Sequence, residues 1–192
     1  MNIAGKTVTI KTNANGTATY MYTPTKVEEQ TITATYNGNN QYTGSTKTTS
    51  ITVKKLNTTL TVKVSNSTPL NNTPVNITVV LKDSNNKAVS GENVTLSVGG
   101  KSYNLETNTS GVAVQAYTPN KVETQTITAT YNGNSQYNNS TATAKITVKK
   151  LDTKLALKVS NTTPVINATV NVTATLTDQN NKEVANQNVN LN

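Results

Sequence analysis

Ile127-Thr128-Ala129-Thr130-Tyr131-Asn132-Gly133-Asn134, inside the longer run Lys121 to Tyr137, is the stretch on which the fold turns. Gln125, Ile127, Ala129 and Tyr131 alternate with Thr124, Thr126, Thr128 and Thr130. A period of two is the pattern of a half-buried β-strand, and the Asn-Gly that follows is turn chemistry. The stretch occurs twice. Ile32 to Asn39 repeats it 95 positions upstream, the difference between Ile127 and Ile32.

Sliding the whole chain by that interval aligns nearly all of it. Thr19 to Lys55 matches Val114 to Lys150, and Leu56 to Ser97 matches Leu151 to Asn192. Internal repetition of this kind is decisive for architecture. The 192 residues therefore hold two repeat lengths plus two residues, out of phase with the unit. Only Leu56 to Lys150 reads as complete. Met1 to Lys55 reads as strands three to seven of a unit, and Leu151 to Asn192 as strands one to three.

In the complete unit, Leu60, Val62 and Val64 alternate as strand one, and Val75, Ile77, Val79 and Leu81 as strand two, after a turn from Pro69 to Pro74. Val94, Leu96 and Val98 form strand three, and Tyr103 and Leu105 lie on strand four. Gly99-Gly100 between them predicts a two-residue hairpin with positive φ at both positions. Val112 to Tyr117 is strand five, the opening stretch is strand six, and Ala142, Ala144, Ile146 and Val148 face inward on strand seven. Seven short strands with frequent turns read as an all-β, seven-stranded immunoglobulin-like sandwich of about 95 residues, repeated in tandem. The core has no Phe or Trp, so Tyr103, Tyr117, Tyr131 and Tyr137 must supply aromatic bulk.

Composition narrows the chemistry. Cys and His are absent, and all 17 cationic side chains are Lys. Disulfides, thiolate metal sites and imidazole acid–base catalysis are thereby excluded, so no catalytic, cofactor-binding or metal site is expected. Nine acidic residues are scattered along the chain. The net charge of +8 falls largely on outward strand positions, which reads as a solvated, edge-protecting surface and not a nucleic-acid face. Thr and Asn number 39 and 30, suiting wet sheet faces and turns. No apolar run reaches the roughly 18 residues a spanning helix needs, and the N-terminus lacks the pattern of a signal peptide. If the protein is exported, its signal is expected to lie outside these 192 residues.

Several motifs carry a resemblance. They are Asn108-Thr109-Ser110-Gly111, Tyr117-Thr118-Pro119, Ile127 to Tyr137 and Ile146-Thr147-Val148, with Asn15-Gly16, Tyr22-Thr23-Pro24, Ile32 to Asn39 and Tyr42 in the first copy. Together they resemble the bacterial-type immunoglobulin-like repeats of large surface proteins, especially adhesin-like proteins of methanogenic archaea. The resemblance implies an extracellular, surface-anchored fibre. Where many relatives carry Asp, this chain has Asn134 and Asn39, so no acidic cation site is implied there.

Twelve Asn-x-Ser/Thr acceptors occur, and Asn66, Asn76, Asn93, Asn108, Asn138, Asn161 and Asn171 are the candidate N-glycosylation sites, on outward or loop positions. Lys47 is the one Lys at an inward register, opposite number to Ala142, and reads as a snorkelling side chain more readily than as one end of a Lys–Asn crosslink. Gln30 and Gln125 sit on the inward side of strand six and are expected to bond a loop backbone. Lys54-Lys55-Leu56 and Lys149-Lys150-Leu151 join units with almost no linker, predicting a semi-rigid rod that advances roughly 40 Å per unit.

The resulting expectation is a non-enzymatic structural repeat forming the stalk of a surface adhesin or extracellular filament. The chain reads as an excerpt of a longer polymer, its partial ends completed head to tail by neighbouring segments or subunits. The alternative is a module that binds sugar or wall polymer through the loops Asp83 to Lys87 and Asn132 to Asn139, with Tyr131 and Tyr137 as platforms.

Overall fold

A computed structural model describes residues 1–191. It is all-β, and every strand pairing within its sheets is antiparallel. The N-terminal portion contributes β1 (Asn2–Ile3), β2 (Lys6–Thr7), β3 (Glu29–Tyr36) and β4 (Ser45–Thr52), which form one sheet in the order β2-β1-β3-β4. The middle contributes β5 (Thr58–Val64), β6 (Val75–Asp83), β7 (Asn93–Val98), β8 (Lys101–Glu106), β9 (Val112–Tyr117), β10 (Thr124–Tyr131) and β11 (Ser140–Thr147). The last two strands, β12 (Thr153–Val159) and β13 (Val172–Asp178), pair with each other.

The seven middle strands divide into two sheets, ordered β5-β6-β9 and β11-β10-β7-β8. Their inward side chains meet in one core that includes Leu60, Ile77, Val79 and Leu81 from the first sheet and Val94, Leu96, Ile127, Tyr131 and Ile146 from the second. The period-two pattern accounts for this. Along β10, Gln125, Ile127, Ala129 and Tyr131 are buried, and the threonines between them face out. Each fully buried aliphatic contributes about 1.5–3 kcal/mol. Outward threonines are tied across the strands, as in Thr124 with Thr147, whose hydroxyls are 3.1 Å apart.

The hairpin between β7 and β8 takes the expected form, with φ of 56° at Gly99 and 76° at Gly100. Ala4 stands at the equivalent place in the first copy and is held at φ 47°, where a Cβ is disfavoured.

Two expected strands are missing. Residues 17–22, which match β9, are not a strand, and neither are residues 188–191, which match the first part of β7. The cause is pairing. β9 bonds only to β6, and no counterpart of β6 lies beside residues 17–22. β7 is held by β8 and β10, neither of which has a counterpart beside residues 188–191. Strand propensity without a neighbour does not make a strand.

Candidate functional site

The feature that sets the two outer portions apart from the middle is an uncovered inner face. Tyr131 is 2% exposed, whereas its match Tyr36 is 45% exposed. Leu60 is 5% exposed, whereas its match Leu155 is 53% exposed. Leu157, Val159 and Val172 are likewise exposed on β12 and β13, at positions matching Val62, Val64 and Ile77. On the N-terminal sheet a hollow of about 790 Å³ opens, lined by Val8, Ile10, Ala18, Ala34, Tyr36 and Lys47 among others. Lys47 is paired in register with Ala34, as Ala142 is with Ala129.

The turns do not share this difference, because their bonds are local. The Asp83 carboxylate accepts from Asn85 and Lys87 backbone N–H groups at 2.9 Å each, and Asp178 repeats this with Asn180 at 2.8 Å and Lys182 at 2.9 Å. Asn108 accepts from Ser110 and Val112, and Asn13 from Asn15 and Thr17. Asn134 accepts from Gln136 at 2.7 Å and Tyr137 at 2.9 Å, and Asn39 from Gln41 and Tyr42. Side-chain-to-backbone bonds over two to four residues need no second sheet.

The loops named as the alternative binding surface have their polar groups engaged. Asp83 is buried under its own turn, and Asn134 donates its amide to Glu92 Oε1 at 2.6 Å. Tyr131 belongs to the core, and Tyr137 is half-buried against it. Neither ring stands in solvent as a platform. The Tyr131 hydroxyl is buried without a partner in hydrogen-bonding geometry. Burial, with the Glu92 carboxylate beside it, pushes its pKa well above the ordinary tyrosine value. Among the described residues no cluster of acidic side chains is placed to hold a metal ion.

At the opposite end, the Tyr117 hydroxyl donates to Gln125 Oε1 at 2.6 Å in a buried pair. Burial raises the Tyr117 pKa, helped by Tyr103, and the bond to Gln125 partly offsets it. Gln125 was expected to bond a loop backbone, and its partner is instead a side chain. Gln30 does both: it accepts from Tyr22 at 2.8 Å and donates to the Lys26 carbonyl at 3.2 Å. A Cβ on Gly99 would land on the Tyr117 hydroxyl, so this position requires Gly for space as well as for φ.

All seven candidate glycan acceptors are exposed. Asn66, Asn108 and Asn161 spend only the amide oxygen on their turns, leaving the nitrogen free. Asn76 lies on β6, and Asn171 is its match. Asn93 opens β7. Asn138 differs, because its amide nitrogen donates to Asn57 at 2.8 Å.

No family model matches the chain, and no curated protein matches it. Among solved structures it is similar to FdeC, an adhesin of Escherichia coli, at 18% identity and a TM-score of 0.40, over 80% of this chain and 51% of that one. It is also similar to a Ca2+-stabilized adhesin with which an Antarctic bacterium binds ice, at 14% identity and a TM-score of 0.41, over 69% of this chain and 34% of that one. The chain thus spans about half the length of the first and about a third of the second.

Proposed function

We propose that the chain is a run of tandem immunoglobulin-like sandwich units, with limits at Met1–Lys55, Leu56–Lys150 and Leu151–Asn192. These units would form the stalk of an extracellular, cell-surface adhesin or filament, without enzymatic activity. The supporting observation is how the middle strands are tied at entry and exit. Leu56 bridges in parallel to Tyr137, and Leu70 bridges in parallel to Lys149. Leu56 and Tyr137 precede β5 and β11, while Leu70 and Lys149 follow them. Chain entry and chain exit therefore lie at opposite ends of two strands that pack together. Only Lys150 to Asp152 separate the last tied residue from β12. A unit that enters at one end and leaves at the other, with three residues between, propagates as a rod.

The 95-residue repeat stands beside these ties as support for this reading. Copies of the same unit head to tail are the expected partners, and glycans on the exposed acceptors would belong to an exported stalk. No observation favours the loop-binding alternative, since its tyrosines face the core. Small-angle scattering on monomeric chains of two, three and four units tests the proposal. The maximum dimension should grow by roughly 40 Å per unit. Growth as the cube root of mass would refute it.

A further inference from the structure

We propose that the open edge of β8 is a strand-pairing surface, and that its partner is the β8 of a second copy of this chain, running antiparallel about a two-fold axis at Asn104. The surface lies wholly within the middle sandwich, whose seven strands and two sheets are all present.

The hairpin fixes which backbone groups are free. Gly99 and Gly100 form a two-residue turn, so Val98 and Lys101 are the hydrogen-bonded pair that closes it. Bonded and non-bonded pairs then alternate along the ladder. Tyr103 and Leu105 therefore bond to β7, through Leu96 and Val94, while Ser102, Asn104 and Glu106 turn their N–H and C=O groups away from it. β8 ends its sheet, so those groups meet no further strand. Among the described residues they have no hydrogen-bond partner, and all three residues are exposed.

The other edges of the sandwich are closed. On β9, Asn108 engages both backbone groups of Val112, through its own N–H and its Oδ1, and the Gln115 amide donates to the Ala116 carbonyl at 2.7 Å. β5 and β11 are tied by the bridges of Leu56 to Tyr137 and Leu70 to Lys149.

A row of unpaired strand groups is a template for another strand, with backbone bonds supplying affinity and alternate side chains supplying fit. The sequence of β8 matches itself in one antiparallel register. With Asn104 opposite Asn104 of the second copy, Ser102 falls opposite Glu106, and Glu106 opposite Ser102. All three are pairs of the bonded kind, so every free group on both strands gains a partner. The outward side chains agree with this register. Each Glu106 carboxylate meets a serine hydroxyl, the pairing that Ser50 makes with Glu29 at 2.8 Å across β3 and β4. No like charges stand opposite each other. On the inner side Tyr103 falls opposite Leu105, and both are half-buried at the rim of the core. The two-fold reverses the strand, so two rods joined this way point in opposite directions, as stalks from facing surfaces do. That last step rests on the tandem-unit reading; the pairing itself does not.

The test is sedimentation equilibrium of the full 192-residue chain, with amide hydrogen exchange read on the same samples. Strands of six residues make a small interface, so the dimer is sought at protein concentrations up to about 1 mM. In the dimer the amides of Ser102, Asn104 and Glu106 should exchange at least about tenfold more slowly, while those of Tyr103 and Leu105, already bonded to β7, should not change. S102E sets a carboxylate against Glu106 of the second copy and should weaken the dimer about threefold or more, whereas S102K should strengthen it. N104P removes a central N–H that faces solvent in the single chain, a position where an edge strand tolerates proline, and should abolish the dimer with the middle sandwich still folded. A chain that stays monomeric throughout overturns the proposal. So does a dimer in which the alternate amides stay unprotected, or one that S102E and S102K weaken alike. The stalk reading is judged separately, by the growth of a monomer per added unit, and survives if only this pairing fails.

Discussion

Replacing Gly99 with Ala should weaken the middle sandwich far more than one methyl group suggests. Two effects add. Gly99 sits at φ 56°, and a Cβ in that left-handed region costs about 1–2 kcal/mol. The new methyl also lands on the buried Tyr117 hydroxyl. To make room, the hydroxyl must leave Gln125, whose amide oxygen then loses its buried donor, at about 1–3 kcal/mol. The expected sum is about 2–5 kcal/mol. At ~4–8 °C per kcal/mol for a domain of this size, the melting temperature should fall by roughly 10 °C or more. A double-mutant cycle isolates the cause. Y117F alone removes the same hydrogen bond, and it also removes the oxygen that the methyl strikes. G99A/Y117F should therefore cost less than the two single changes together, by about 1–3 kcal/mol. The first copy shows the tolerated case: Ala4 holds φ 47°, Tyr22 still reaches Gln30, and the ring, without a second sheet over it, has room to shift. Urea unfolding followed by circular dichroism provides the free energies. If G99A lies within about 0.5 kcal/mol of the parent, or the cycle is additive, the steric argument is wrong.

Alkaline stability should track the buried tyrosines. Their folded-state pKa values are raised above the ordinary value of 10.0, so their contribution is whole below that pH and is lost as pH climbs past it. Y131F, which removes a buried hydroxyl without a partner, should be neutral or stabilising at pH 7 and should flatten this alkaline decline in a melting series. N134A should cost about 1–3 kcal/mol, since it takes the acceptor from the Gln136 and Tyr137 backbone N–H groups and the donor from Glu92, and chemical denaturation will measure it. In a glycosylating host, intact-mass and peptide mapping should find glycan on Asn66, Asn76 or Asn108 before Asn138, whose amide is already bonded to Asn57. The same mass spectrum should show no ammonia loss at Lys47, which has no acidic partner in register.

The strand registers were legible because they follow from period two and from turn residues, both local in sequence. The hairpin at Gly99-Gly100 and the inward set on β10 needed nothing more. What sequence could not place were bonds that depend on distant neighbours. Glu92 and Asn134 are 42 positions apart and meet only because β7 and β10 are adjacent. Gln125 was assigned a backbone partner because nothing local marked Tyr117, eight residues earlier, as the closer donor. Residues 17–22 and 188–191 carry the residues of strands, and the structure leaves them as coil. Pattern gave their inclination, and the presence or absence of a neighbouring strand decided the outcome.

The parallel ties of Leu56 to Tyr137 and of Leu70 to Lys149 bear on how such a unit meets mechanical tension. A pull applied between chain entry and chain exit runs lengthwise through β5 and β11. The tying hydrogen bonds, Leu56 N–H to the Gln136 carbonyl at 2.9 Å and Lys149 N–H to the Pro69 carbonyl at 2.8 Å, are then loaded sideways and together, not opened singly like a zip. Rupture under load is governed by the unfolding rate and not by equilibrium stability. Substitutions that break these ties should therefore shorten the lifetime of a tethered chain under load more than they lower its melting point.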